Sequence, residues 1–148
     1  MSRSIQQQGF TLIEMLLSIA IIATLGGLSM PVYATFLARN DLHTNSEAIG
    51  AALRRAQVYA RAGNEDSAWS VKVQPTALVL YKGTTFSTRD IAYDETTSLP
   101  DTLLASGMTD VTFSKLTALP TATGTVTLTA NDGSTRTITI NTKGTVSY

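Results

Sequence analysis

An almost uninterrupted apolar run occupies residues 10–30, and Glu14 is its only charged residue. At ~1.5 Å per helical residue, a run of this length approaches the ~30 Å thickness of the hydrocarbon core of a bilayer. The pattern therefore predicts a membrane-spanning helix. A carboxylate inside such a helix is costly to keep charged, which makes Glu14 a candidate functional residue.

The pattern becomes amphipathic after Pro31, where the missing N–H and the ring favour a kink. Apolar residues then recur at steps of three to four, which is typical of a helix with one buried stripe. The stripe consists of Leu42, Ile49, Leu53, Ala56 and Ala60, with Ala52 and Tyr59 at its flank. Gly63-Asn64 is a helix stop signal. We therefore predict one long helix from about Phe10 to about Ala62.

Beyond Ser67 the apolar period changes to two, which predicts β-strands. Two strands are expected at 69–73 and 77–82, and a short one around Val111 and Phe113. Residues 83–98 are expected to form a polar loop or a ragged strand pair. The following segment, to Gly107, is expected to be a connection.

The clearest hairpin pattern lies near the C-terminus. Alternating apolar residues and threonines precede and follow Asn131-Asp132-Gly133, a typical hairpin turn. A second tight turn at Lys143-Gly144 predicts a last short strand. Threonine makes up 16 of the 53 residues from Thr96 onward, which favours pleated sheet over helix.

Length and charge narrow the class of protein. The chain has 148 residues, which allows one domain plus the N-terminal segment, and it carries 11 basic and 11 acidic side chains. This balance gives no bulk attraction to nucleic acid. The absence of cysteine excludes disulfides, thiolate metal sites and cysteine nucleophiles.

The N-terminal residues Gly9-Phe10-Thr11-Leu12-Ile13-Glu14 resemble the type IV filament family, the type IV pilins and the pseudopilins of type II secretion. The resemblance implies that a prepilin peptidase cuts after Gly9 and that the new N-terminal Phe10 is N-methylated. It also implies that Glu14 acts in assembly and that Pro31 lies where many pilins have a proline. The leader departs from the usual pattern because glutamines, not a basic residue, precede Gly9.

The rest of the chain resembles the GspH/FimT-like branch of this family, in the hairpin from Trp69 to Tyr81 and in the closing strands through Gly144. The resemblance implies an α+β, pilin-like fold. One long N-terminal helix, its first half transmembrane, packs on an antiparallel β-sheet or a two-sheet head. A minor subunit is implied more than a bulk one.

The predicted organisation has four parts. Residues 1–9 form a cleaved leader, 10–32 the transmembrane and filament-core helix, 33–62 the amphipathic half of the same helix, and 63–148 the β-rich head. The resemblance implies insertion in the inner membrane with a cytoplasmic N-terminus, then export into a periplasmic or extracellular filament. The implied partners are other pilin or pseudopilin subunits, the prepilin peptidase, the inner-membrane assembly platform and, before assembly, membrane lipid.

Two other interpretations of the N-terminal segment stay open. In the first, the apolar run belongs to a cleaved secretory signal, and Val32-Tyr33-Ala34 is the cleavage site. In the second, the segment is an uncleaved anchor of a monomeric extracytoplasmic protein, and Glu14 lies near the membrane interface. A mature start at Thr35 would identify the first, and an uncut Gly9–Phe10 bond the second.

A DNA-binding minor pilin of a DNA-uptake filament is the main alternative function. The resemblance implies basic residues near the C-terminal strands, where this chain has Arg136 and Lys143, with Lys115 upstream. Thr145 follows Gly144 at a position where an arginine is expected. Scattered cations of this kind predict weak, salt-sensitive binding.

Few residues are candidates for other chemistry. The only histidine, His43, precedes Glu47 by one helical turn, but a third metal ligand is missing. Asp90, Asp94 and Glu95 are a calcium candidate, although their spacing matches no EF-hand and a solvated loop is the favoured interpretation. One histidine and no nucleophile motif argue against an enzyme, and no cofactor is predicted.

Overall fold

The computed structural model describes residues 9–148, and the side chains of residues 28–32 lie outside the described set. The predicted leader therefore lies outside the described residues except for Gly9. The chain divides into two compact units, Met1–Phe36 and Leu37–Tyr148. One α-helix, α1, is assigned from Leu12 to Ala62, in agreement with the single long helix predicted from the sequence.

Helix α1 begins with a side-chain cap. The hydroxyl oxygen of Thr11 accepts a hydrogen bond from the backbone N–H of Glu14 at 3.3 Å. This contact satisfies one of the N–H groups that the first helical turn leaves unpaired. Thr11 and Glu14 therefore have the spacing of a capping box, and the acidic side chain lies in the first turn, where the helix dipole favours negative charge.

The side chains of residues 12–27 are exposed on all sides of the helix, including Leu12 at 78% and Ile22 at 70%. Among the residues that the structure describes, no helix is both long enough and apolar enough to cross a membrane. The membrane-spanning prediction for residues 10–32 stays a prediction. The predicted kink at Pro31 also stays one, because the side chain of Pro31 is not described.

In the second unit, α1 buries the predicted stripe. Leu42, Ile49 and Leu53 are 4%, 0% and 1% exposed, and Ala56 and Ala60 are fully buried. The helix ends before Gly63, whose φ of 67° is the left-handed conformation that glycine adopts at little cost. The helix-face prediction is therefore confirmed.

Eight strands and two short 3₁₀ turns follow α1. The turns are Asn64–Asp66 and Phe86–Thr88, and the strands are β1 Trp69–Val73, β2 Ala77–Lys82, β3 Asp90–Ser98, β4 Leu103–Gly107, β5 Asp110–Phe113, β6 Gly124–Ala130, β7 Thr135–Ile140 and β8 Val146–Ser147. They form two four-stranded sheets. Sheet A has the order β3-β2-β1-β5, and sheet B has the order β4-β6-β7-β8. Every pair is antiparallel, so the α+β prediction is confirmed.

One hydrophobic core joins the α1 stripe to buried residues of both sheets. Sheet A contributes Val71, Leu80 and Val111, which lie side by side across β2, β1 and β5. Sheet B contributes residues such as Val126 and Ile138, which face each other across β6 and β7. Alternate positions of β6 and β7 are buried, which is the period expected of a sheet with one solvated face.

Two segments differ from the sequence expectation. Residues 83–98 contain one nine-residue strand, β3, rather than a loop or a strand pair, and residues 99–107 contain strand β4 rather than a plain connection. Both strands lie at sheet edges, where few side chains are buried. The alternation that marks a half-buried strand is therefore weak in both. A register shift opposite Leu80 and Lys82 further breaks the period of β3.

Candidate processing and assembly site

The predicted cleavage bond lies in an accessible segment. Gly9 and Phe10 precede α1, adopt no regular secondary structure and are exposed, with Phe10 at 82%. No described atom lies within 4 Å of the position that a Cβ on Gly9 would occupy. The bond between the two residues is therefore open to an approaching enzyme, and nothing in the described fold must unfold to expose it.

Glu14 lies four positions after Phe10, the residue whose nitrogen cleavage would release. Glu14 is exposed, and it belongs to the first turn of α1. The arrangement brings an acid and a new ammonium to the same end of one helix, and either group is equally open to a neighbouring chain.

The polar side chains farther along this unit have partners within the helix. The hydroxyl of Ser18 donates to the carbonyl oxygen of Glu14 at 2.7 Å, and that of Thr24 donates to the carbonyl oxygen of Ala20 at 3.0 Å. Such bonds let hydroxyl groups lie among apolar side chains without an unpaired donor. Among the described residues of this unit, Glu14 has the only charged side chain, and in an apolar medium that charge would need a partner.

The sequence-predicted calcium residues are not brought together. Asp94 forms an ion pair with Arg89 at 2.8 Å, with both side chains largely buried. Glu95 pairs with Arg55 and accepts a hydrogen bond from the Tyr59 hydroxyl at 3.1 Å. Burial, and to a smaller extent this hydrogen bond to Glu95, raises the pKa of Tyr59. Asp90 Oδ1 accepts a hydrogen bond from the backbone N–H of Ala92 at 3.2 Å. The calcium interpretation is not supported, because among the described residues no three such side chains are grouped to hold a metal ion.

The remaining metal candidate is a simple surface pair. His43 Nδ1 lies 3.6 Å from Glu47 Oε1, one helical turn apart, and both side chains are more than half exposed. Among the described residues, no group of three or more histidine, aspartate or glutamate side chains could hold a metal ion. The favoured sequence interpretation, a solvated helix face, agrees with this geometry.

The predicted DNA-contact residues lie at opposite ends of β7. Arg136 is its second residue, next to the β6–β7 turn, and is half-buried on the face of the sheet that carries Ile138. Lys143 follows the strand in an exposed turn. Lys115 pairs with Asp66, and its hydrogen bond lowers the pKa of that carboxyl. Arg136 and Lys143 thus do not share one end of the strand, and Lys115 is already paired within the chain.

Sequence reasoning missed the contact that holds the C-terminal turn on α1. Gln57 Nε2 donates to the carbonyl oxygens of Ala118, at 3.3 Å, and Lys143, at 3.1 Å. Gly144 has a φ of 76°, and a Cβ there would lie 2.3 Å from Gln57 Nε2. A glutamine on a helix gives no sequence pattern from which such a hydrogen-bond partner could be predicted. The tight turn at Lys143-Gly144, however, was predicted from the sequence.

Comparison with known proteins supports the N-terminal part of this site. Residues 5–30 match the family profile of the prokaryotic N-terminal methylation motif, and this stretch contains Gly9, Phe10 and Glu14. No curated protein and no solved structure matches the chain. The chain therefore carries the leader motif of a type IV pilin-like subunit. The motif implies pilin subunits and a prepilin peptidase as partners in general terms, whereas the likeness of the head to the GspH/FimT-type branch stays a prediction.

Proposed function

We propose that this chain is a structural subunit that is cut after Gly9 and then packs its N-terminal helix into a type IV filament. The observation that carries the proposal is the methylation motif at residues 5–30. The geometry supports it, because the motif places its Gly9–Phe10 bond in an exposed segment just before a helix with apolar side chains on all sides.

Processing changes the charge at the start of the helix. Hydrolysis of the Gly9–Phe10 bond leaves a carboxylate on the leader and a free amine on Phe10, which is protonated at neutral pH. N-methylation of that amine replaces one hydrogen and keeps the nitrogen basic. The mature chain thus begins with a cation four residues before Glu14.

Burial of the apolar helix drives both membrane insertion and filament assembly. Before assembly the helix lies in the inner membrane, with the N-terminus on the cytoplasmic side, consistent with a basic residue, Arg3, before the apolar run. During assembly, side chains such as Leu16 and Ile22, which are 56% and 70% exposed in the single chain, pack against neighbouring helices. The periplasmic or extracellular filament therefore has helices in its core and heads outside.

Glu14 sets the position of each helix against the next. Its carboxylate is expensive to keep charged in an apolar medium unless a cation lies close by. An incoming subunit offers the Phe10 ammonium as that cation. Because the pair can form only when the Phe10 nitrogen of the incoming subunit lies beside Glu14 of its neighbour, charge pairing selects one axial register.

The head is that of a minor subunit of the GspH/FimT-like kind. The support is its architecture, in which two four-stranded antiparallel sheets and the second part of one helix share a single core. The proposal leaves the type of filament open among a pilus, a secretion pseudopilus and a competence filament.

The mature N-terminus tests the proposal directly. The full chain is produced together with a prepilin peptidase, and the mass of the membrane-extracted protein and of its N-terminal peptide is measured. We expect a chain that begins at N-methylated Phe10. A start at Thr35 would instead identify a secretory signal, and an intact junction in the presence of active peptidase would identify a plain anchor.

A pair of glycine variants supplies the control. Gly9→Val places a branched side chain at the bond that is cut, so the precursor is expected to accumulate uncut. Gly26→Val makes the same change farther along the apolar run, where the added side chain has open space. This variant is expected to be processed like the wild type, and equal cleavage of both variants would contradict the assigned site.

A further inference from the structure

A cavity opens to solvent between the end of α1, the turn that follows it and the edge strand β3. Its volume is about 360 Å³, which lies in the range of small-ligand pockets. Most of its lining consists of three aromatic and three acidic residues. We call the cavity with these six residues the aromatic pocket: Tyr59, Trp69, Tyr93, Glu65, Asp94 and Glu95. None of the described residues that line it is basic.

The aromatic rings of the pocket lie close to one another and at steep angles. The ring centroids of Tyr59 and Trp69 are 4.7 Å apart with the planes inclined at 63°, and those of Trp69 and Tyr93 are 6.3 Å apart with the planes at 90°. The two tyrosine centroids are therefore no more than about 11 Å apart. These separations are short enough for one small cation to lie within ~6 Å of every centroid, the distance over which a ring attracts a positive charge.

Hydrogen bonds hold the polar tip of each ring. The hydroxyl of Tyr59 donates to Glu95 Oε1 at 3.1 Å, and that of Tyr93 donates to Glu65 Oε2 at 2.8 Å. The indole N–H of Trp69 donates to a backbone carbonyl oxygen of the turn after α1 at 3.1 Å. The rings are thus fixed before a ligand arrives, which lowers the entropic cost of binding.

The chain already places one of its own cations on this cluster. Lys82 Nζ lies 4.3 Å from the centroid of the Tyr93 ring and 3.7 Å from Glu65 Oε2. An ammonium group in this position meets an aromatic ring and a carboxylate at once. Because Lys82 does not line the cavity, whereas Tyr93 and Glu65 do, the same two groups are also open to a cation from outside the chain.

The partners of the acidic side chains narrow the type of cation. Each of the three carboxylates has a basic partner within the chain: Lys82 for Glu65, Arg89 for Asp94 and Arg55 for Glu95. Two of them also accept a tyrosine hydroxyl. A primary ammonium has three donors to satisfy, and these carboxylates have few acceptor positions left for it. A quaternary ammonium has no N–H to satisfy, and it needs only ring surface and nearby negative charge.

The same geometry argues against a sugar or an anion. A sugar ring stacks on an open, flat aromatic face, but Trp69 is only 4% exposed and both tyrosine rings are steeply inclined to it. The three rings are thus arranged as walls and not as a platform. An anion would meet carboxylates in a wall whose described residues include no basic side chain.

We infer that the aromatic pocket binds a small organic cation with a quaternary, methylated ammonium group, such as choline. Zwitterions such as glycine betaine, and the phosphocholine head group of a lipid, carry the same ammonium together with an anion that the acidic wall repels. A free cation is therefore the expected ligand. The inference does not depend on the proposed filament function, because the pocket belongs entirely to the second unit.

A titration followed by Trp69 fluorescence tests this inference. Trp69 is the only tryptophan of the chain and lines the pocket, so an occupant changes its emission directly. The full chain is held in a polyoxyethylene detergent, which has neither a choline nor a sugar head group, and sodium chloride keeps the ionic strength constant. We expect a saturable change with choline chloride. The neutral analogue of choline, in which a carbon atom replaces the charged nitrogen, is expected to bind about tenfold more weakly or worse.

Tyrosine variants assign the binding to the pocket. Tyr93→Ala removes one ring and is expected to weaken choline binding about tenfold, whereas Tyr93→Phe keeps the ring and is expected to stay within about threefold of the wild type. Tyr148→Ala removes a ring that lies next to Arg54 but outside the pocket, and it is expected to bind choline like the wild type. Unchanged thermal unfolding shows that each variant is folded.

A second pair of variants tests the acidic wall. Glu65→Gln removes a charge and keeps an oxygen that can accept the Tyr93 hydroxyl, and it is expected to weaken choline binding about threefold. Asp66→Asn removes a charge from the next residue, which pairs with Lys115 and does not line the pocket. This control is expected to bind choline like the wild type.

Comparisons of ligands on the wild-type chain can overturn the inference even if a variant fails to fold. The absence of a saturable change with choline would do so. Equal binding of choline and its neutral analogue would show a pocket that selects only apolar groups. Tighter binding of glycine betaine or phosphocholine than of choline would contradict the repelling wall, and a saturable response to glucose without one to choline would assign the pocket to a sugar.

Discussion

The two units of this chain use the same apolar residue types in opposite ways. In Met1–Phe36, Leu12 and Ile22 are 78% and 70% exposed, whereas in Leu37–Tyr148, Leu53 and Ile49 are 1% and 0% exposed. A helix with apolar side chains on all sides needs a partner outside the chain, because it has no polar face to leave in water. The first unit therefore presents apolar surface to other molecules, whereas the second packs a hydrophobic core of its own.

The hydroxyl groups of the two units differ in the same sense. Ser18 and Thr24, in the first unit, donate to carbonyl oxygens of their own helix. The threonines of β6 and β7, in the second unit, point their side chains to the solvated face of a sheet. Polar groups are thus satisfied internally where the surroundings are expected to be apolar, and they are displayed where the surroundings are aqueous.

The largest expected effect distinguishes the two kinds of leucine. Leu53→Ala opens a cavity in the head core and is expected to lower the free energy of unfolding by about 2–5 kcal/mol. Leu16→Ala removes the same atoms from a side chain that is 56% exposed, and it is expected to change the stability of the head by less than about 0.5 kcal/mol. Denaturant unfolding of the full chain in detergent, followed by Trp69 fluorescence, measures both. Equal decreases in the free energy of unfolding for the two variants would show that Leu53 is wrongly assigned to the core.

A smaller effect is expected at the turn that holds the C-terminus on α1. Gly144→Ala adds a methyl group that would lie 2.3 Å from Gln57 Nε2 at a φ of 76°, so we expect a cost of about 2–3 kcal/mol from conformation and crowding together. Gly133→Ala meets open space at a similar φ of 82° and is expected to cost only about 1 kcal/mol. Thermal unfolding of the two variants measures the difference, which should shrink when Gln57 is also replaced by alanine.

The smallest effect concerns alkaline pH. Burial, together with the hydrogen bond to Asp110, raises the pKa of Tyr81 from 10.0 to about 12, although the Ser70 hydroxyl partly opposes the shift. The folded state therefore keeps this proton at pH values where the unfolded chain has lost it. This contribution to stability is complete below pH 10 and is lost as the pH rises to 12.

The variant Tyr81→Phe isolates that contribution. The decrease in the free energy of unfolding between pH 10 and pH 12 is expected to be less steep in this variant than in the wild type. Tyr148→Phe, at an exposed ring, is expected to keep the slope of the wild type. Identical slopes for all three proteins would show that Tyr81 titrates in the folded state as it does in the unfolded chain.

The sequence predicted those helices and strands that bury side chains at regular intervals along one face. The α1 stripe through Leu53 and the β6–β7 hairpin around Gly133 were readable because a buried face imposes a period of 3.6 or 2. Strands β3 and β4 were not readable as strands. Each lies at a sheet edge with few buried positions, so hydrogen bonding to a neighbour, rather than side-chain burial, defines it.

In the candidate site, too, residues in a local pattern were predictable from the sequence, and contacts made by the packed fold were not. Gly9, Phe10 and Glu14 were predictable because the motif is local and fixes residue types at fixed spacing. The Gln57 contacts and the Arg89–Asp94 ion pair were not predictable, since their partners are chosen by the packed fold or by an irregular strand. Asp90, Asp94 and Glu95 were a weak calcium candidate because they cluster in the sequence, which does not show that Arg89 and Arg55 pair with Asp94 and Glu95.

Glu14 offers the most direct test that the first unit joins a filament through charge pairing. Glu14→Gln keeps the shape of the side chain and removes its charge, and Glu47→Gln makes the same change at an exposed site of α1 in the second unit. Each variant is produced beside wild-type partner subunits, the filaments are sheared from the cells, and both fractions are immunoblotted. We expect Glu14→Gln to be processed and held in the membrane but depleted from the sheared fraction, with Glu47→Gln at the wild-type level. Incorporation of Glu14→Gln at the wild-type level would contradict the charge-pairing account.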